Sequence, residues 1–123
     1  MNIPMSSIPL DELAAAAYEA RTVDKVQRAQ VNKLLEMLES LHDVNLLLVF
    51  LARQVNRREW GRSSASRLYI VLKGKSVNEA RRILGVFRWL YESIDPRRAS
   101  RLGRVGTPAP KGFFEKFMEV CLG

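Results

Sequence analysis

The chain is poor in the residues that carry most enzyme chemistry. It has one histidine, His42, and one cysteine, Cys121. A single cysteine excludes an internal disulfide, so nothing in the sequence asks for an oxidising compartment. His42 stands beside Asp43 with the cysteine far off, which is no metal-ligand spacing. It is expected at a helix end or in solvent. Cys121 has no paired base and is expected to pack rather than attack. Long apolar runs are lacking as well. The longest, "LLLVFLA" from Leu46 to Ala52, has seven residues, where a membrane helix needs about 20. No basic segment precedes an apolar stretch in "MNIPMSSIPL", so no secretory leader is expected, and the cytoplasm is the expected location. "GKS" at 74–76 is similar to the end of a phosphate-binding loop, but Tyr69 stands where that loop needs a glycine. Carboxylate pairs such as Asp11 and Glu12 read as helix N-terminal charges. No catalytic residues, no metal site and no cofactor are expected, and the chain is read as a non-enzyme.

Acidic residues are scarce too, and unevenly so. Residues 1–50 hold four Lys/Arg against seven Asp/Glu, net −3; residues 51–123 hold sixteen against six, net +10. Fourteen of the twenty cations are arginine, whose planar fork suits phosphate and stacks on rings. A one-sided, arginine-rich charge points to a polyanion: nucleic acid first, an acidic protein second. With 123 residues, 47% of them hydrophobic, the chain is read as one helical domain spanning 1–123, large enough for a real core.

Strand signals are few and helix punctuation is frequent. "LDELAAAAYEA" (10–20) is a strong helix former with acids leading it and Ser7 as a cap. Val23, Val26, Val31, Leu34, Met37, Leu38 and Leu41 make an amphipathic stripe. Asp43 can cap a helix running from Val44 to about Arg58. That helix is apolar nearly all round in its first half and is therefore expected at the centre of the bundle. After the turn "EWGRSS", Ser63 or Ser64 would cap a short helix that stops at Gly74, although Tyr69, Ile70 and Val71 would also suit a strand. Ser76 and Glu79 form a capping box for a helix over 77–94. Asp95 and Pro96 fit an N-cap and first helical position, with a short basic helix ending at Gly103. A flexible Gly/Pro loop then leads to a last helix, Phe113 to Leu122, which docks by its aromatic stripe. The expected fold class is all-α, a compact bundle of six or seven helices held by the leucine-rich stripes of residues 23–55.

The basic residues fall in three clusters: Arg53, Arg57, Arg58 and Arg62; then Lys73, Lys75, Arg81, Arg82 and Arg88; then Arg97, Arg98, Arg101, Arg104 and Lys111. Two tryptophans lie among them. In "ARRILGVFRWLYE" (80–92), the apolar residues gather on one face, while Trp89 falls roughly 20° from Asn78 and Arg82 on the helical wheel. Three positions are open for it: covered by its own chain, for example by "FFEKFM"; at a protein interface; or stacked on an unpaired base. Gly85, one turn earlier, is either room for a ring or a close helix crossing. Cations interleaved with rings suit single-stranded nucleic acid, the charges following the backbone and the ring holding a base. A second mode is a helix-turn-helix around Gly74, with Asn78, Arg81 and Arg82 exposed for base and phosphate contact. Its fit is poor, because Ile70 is bulky where the tight crossing wants a small residue. A third is an adaptor subunit, its acidic and basic halves stacking copies head to tail.

In size, charge and helix pattern the chain resembles the small helical subunits of CRISPR effector complexes. The resemblance implies a non-catalytic subunit, stacked in copies along a guide–target duplex and touching backbone through Arg and Lys. It transfers no individual residue. The expectation is a nucleic-acid-binding protein with little sequence readout, taking RNA or single-stranded DNA over duplex DNA, alongside other subunits or copies of itself and no membrane. Its expected contacts are Arg53, Arg57, Arg58, Arg62, Lys75, Arg81, Arg82, Arg88, Trp89, Arg97 and Arg98.

Overall fold

The computed structural model describes residues 8–123; the Ser7 cap lies outside them. Seven α-helices and no strand occur among the described residues. They are α1 (Leu10–Thr22), α2 (Arg28–Leu41), α3 (Val44–Asn56), α4 (Arg62–Leu72), α5 (Val77–Glu92), α6 (Pro96–Ala99) and α7 (Phe113–Leu122), with a 3-10 turn at Ser100–Leu102 after α6. The fold class is the all-helical one expected.

The local signals act as read. Asp43 accepts a hydrogen bond from the Leu46 N–H and Asp95 one from the Arg97 N–H. Ser76 and Glu79 cap each other reciprocally, which starts α5. His42 ends α2 in left-handed backbone, exposed to solvent.

The centre of the bundle is not where apolarity placed it. α1 is the central helix. It packs against α4, α5, α6 and α7, and every residue from Leu13 to Ala20 is buried. The reason is size. Four consecutive alanines put no side chain beyond Cβ on any face, so helices approach α1 closely from several directions. α3, richer in leucine, sits on the outside, packed chiefly against α2 and α4. Nor do the 23–55 stripes hold the whole bundle: Val23 is exposed, and residues 23–27 break the chain between α1 and α2. Leu34, Leu38 and Leu47 are buried there, but they join Leu13, Leu68, Leu84, Phe87 and Phe117 in one core shared by the other helices. Burying each such side chain is worth about 1.5–3 kcal/mol.

Hydrogen bonds fix the helix directions. Arg67 of α4 reaches both Glu12 and Glu19 of α1, and Ser64 reaches Asp24 just past α1, so α4 runs antiparallel to α1. The Tyr91 hydroxyl at the end of α5 donates to the Val26 carbonyl, so α5 ends where α1 ends. Gln54 Nε2, buried in α3, donates to Gln30 Oε1 of α2 across 2.7 Å. One end of the bundle therefore gathers the C-termini of α1, α3 and α5 with the N-termini of α2 and α4.

Candidate nucleic-acid interface

α3 finishes in "RQVNRREWG". Arg57 caps it, Arg58 takes left-handed backbone, and the N–H groups of Glu59 and Trp60 return to the Gln54 carbonyl. Trp60 does not belong to the surface. It is buried, its ring lies against Phe87 with centroids 6.3 Å apart, and its indole N–H donates to Ser64 Oγ at 2.9 Å. The ring anchors the turn on the core and leaves Arg57, Arg58 and Arg62 facing solvent.

The start of α4 departs from the expected serine cap. Gly61 is the N-cap residue, and the cap oxygen comes from Asp24, forty residues earlier. Asp24 Oδ2 accepts from the Ser64 N–H at 2.8 Å and from the Ser64 hydroxyl at 2.5 Å. Ser64 is thus a buried link between Trp60 and Asp24. This contact, with the Gln54–Gln30 bond, draws the segment after α1 against the end of α3. Lys25 and Arg28 then join Arg53, Arg57, Arg58 and Arg62. Six cations from residues 24–30 and 53–62 meet two acids, Asp24 and Glu59, and Asp24 is already engaged. Among the described residues, no salt bridge holds Arg57, Arg58 or Arg62. Lys25 and Arg28 were missed in the sequence because they lie in its acidic half.

Beside this cluster, a groove of about 500 Å³ opens between α1, the first turns of α4 and residues 103–107. Arg62, Arg104, Ser63 and Ser66 line it. Arg67 also reaches it but is already committed. Its Nε lies 2.6 Å from Glu19 and its Nη1 3.0 Å from Glu12, while Nη2 donates to the Val105 and Gly106 carbonyls. Burial opposes the Arg67 charge, but the Glu19 and Glu12 hydrogen bonds outweigh it and hold the pKa above the ordinary guanidinium value. Glu12 also accepts from the Ala109 N–H, and Asp11 accepts from those of Gly112 and Phe114. These acids do more than charge a helix N-terminus. They pin the 105–114 backbone, so the Gly/Pro loop is tied at both ends.

The remaining expected contacts are divided. Arg81 and Arg82, with Lys75, lie at the opposite end of the bundle. Arg81 is held there by Glu39 of α2, at 2.5 Å, and by Asn78 at 2.7 Å. That bond draws the Glu39 carboxyl below the usual range. The helix-turn-helix face therefore has a central arginine already paired. Arg88 is half-buried on α5. Arg97 is exposed near Asp95, and Arg98 is half-buried beside Cys121. Burial pushes the Cys121 thiol up, and Arg98 partly offsets this.

Trp89 is 67% exposed, so no other described part of the chain covers it. Gly85 is not a helix crossing either: a Cβ built there would meet nothing within 4 Å. The surface one turn before the indole is open. No helix is long and apolar enough to cross a membrane, and no group of three or more potential metal ligands occurs, among the described residues. No protein-family model, curated protein or solved structure matches the chain.

Proposed function

We propose that this protein binds nucleic acid through its backbone and catalyses no reaction. The observation behind the reading is the gathering of Lys25, Arg28, Arg53, Arg57, Arg58 and Arg62 at one end of the bundle, beside a groove lined by Arg62 and Arg104. Phosphates passing that end displace counterions from several arginine forks at once, which gives affinity without base readout. Single-stranded RNA or DNA is the favoured ligand, because an exposed ring beside open surface stacks on an unpaired base. Trp89 supplies that ring. Arg88, Arg97 and Arg98 extend the charge along the same end of α5. Membership of a larger cytoplasmic ribonucleoprotein, of the kind that has small helical CRISPR subunits, rests on the size, charge and helix pattern of the sequence.

The test is affinity for labelled single-stranded RNA, single-stranded DNA and duplex DNA over a salt series. Arg57→Glu/Arg58→Glu should weaken binding at least tenfold and flatten the salt slope by about two. Trp89→Ala should cost single strands about 1–3 kcal/mol and duplex DNA little. Arg81→Gln, at the far end, should leave both unchanged. Full affinity in Arg57→Glu/Arg58→Glu would remove the basic end from the site.

A further inference from the structure

α3 holds the longest apolar run of the chain, yet Leu46 is 51% and Val49 66% exposed. On α4, Tyr69 and Ile70 are also each about half exposed, beside Leu48, Ala52 and Val55 of α3 rather than Leu46 and Val49. Between the two helices runs an open groove of about 510 Å³, floored by Leu48, Leu51, Ala52, Val55 and Ala65. At roughly 1.5 Å per residue, the eleven residues of α4 make it about three turns long. A contiguous apolar surface of this kind on a folded chain marks an interaction site.

The rim says what fits. Arg62 stands at one end of the groove, and Lys73 lies 5.7 Å from the Tyr69 ring toward the other. No Asp or Glu lines the groove. A second copy of the chain would bring a basic rim onto a basic rim, between molecules of net charge +7. A nucleic acid would find a mostly aliphatic floor, with Arg62 as the one cation lining it and Ser66 and Tyr69 as its other polar groups. An amphipathic helix with leucine-type anchors at i, i+3/i+4 and i+7, flanked by Asp and Glu, matches both floor and rim. We infer that the α3–α4 groove docks such an acidic amphipathic helix from another protein. The inference does not rest on nucleic-acid binding, which uses the end of the bundle.

The probe is a fluorescein-labelled 18-residue helical peptide with leucines at those anchor positions and glutamates beside them, titrated into the full chain. Its counterpart carries lysine for every glutamate. Binding of the glutamate peptide should be at least tenfold tighter than of the lysine peptide. It should fall at least tenfold in Ile70→Glu and, separately, in Ala52→Glu. Both positions are exposed, so the fold should survive, as circular dichroism and thermal unfolding will report, and RNA affinity should stay within threefold. The inference is overturned if neither peptide binds, if both bind alike, or if binding persists in folded Ile70→Glu and Ala52→Glu. It is also overturned if sedimentation shows a dimer that Ile70→Glu dissociates, since the groove is then covered by a second copy.

Discussion

Gly61 sits where no side chain fits. A Cβ there would stand 2.0 Å from Asp24 Cγ and 2.2 Å from Oδ1. The glycine is needed for this close approach, because it lets a carboxylate from beyond α1 reach the first turn of α4. Gly61→Ala must push Asp24 aside, losing the cap on Ser64 and straining the turn. Together these should cost about 2–4 kcal/mol, read as a lower denaturant midpoint with the slope unchanged. A midpoint equal to that of the parent would mean that the Asp24 contact is dispensable. Neither this contact nor the Arg67 network was legible in the sequence. Asp24 and Ser64 lie 40 positions apart, Arg67 and Glu12 55. Rules of caps and spacing see only a few residues around each helix end. For the same reason Trp60, between two arginines in the chain, read as a surface ring until its burial against Phe87 was seen.

At the scale of elements, what was legible is what is local. The Ser76/Glu79 box, the Asp43 and Asp95 caps and the bounds of α7 depend on neighbours within four residues, and all are present. Which helix would be central was not local, because a run of alanine and a run of leucine both bury well. Only the packed arrangement shows that small residues are needed where four helices converge. Two of these local and inter-helix contacts carry a pH signature. Backbone and hydroxyl hydrogen bonds from Ser76 depress the Glu79 pKa, and the Arg81 guanidinium depresses that of Glu39. Depressed carboxylates stabilise the fold at pH above their unfolded value of about 4.3. That contribution is lost as pH falls through the lower folded value. Stability should therefore decline from neutral pH toward pH 3, and Glu39→Gln/Glu79→Gln should decline less steeply. Both groups are exposed, so added salt should shrink the difference. Parallel pH profiles for parent and variant would show that these two carboxylates do not set the acid limb.

At the scale of the molecule, charge that the sequence divides between halves is redistributed by the fold between ends. Lys25 and Arg28 leave the acidic half to join Arg53, Arg57, Arg58 and Arg62. Arg81 leaves the basic half to pair with Glu39 at the opposite end. Net charge alone would attract nucleic acid anywhere on the surface; an assembled end attracts it in one place. Two variants separate these cases. Arg57→Glu/Arg58→Glu and Lys73→Glu/Lys75→Glu each remove four units from the net charge of +7, but at opposite ends of the bundle. If the basic end is the site, the first should lose at least tenfold in affinity for single-stranded RNA at moderate salt, and the second less than threefold. Equal losses would mean that binding follows the overall field of the protein, and the end would have no claim as a site. The same pair tests the groove from the other side. Lys73 stands at the rim between α3 and α4, so its reversal should weaken the acidic peptide while sparing RNA. Arg57→Glu/Arg58→Glu should do the reverse, because the two surfaces share Arg62 but neither of those pairs.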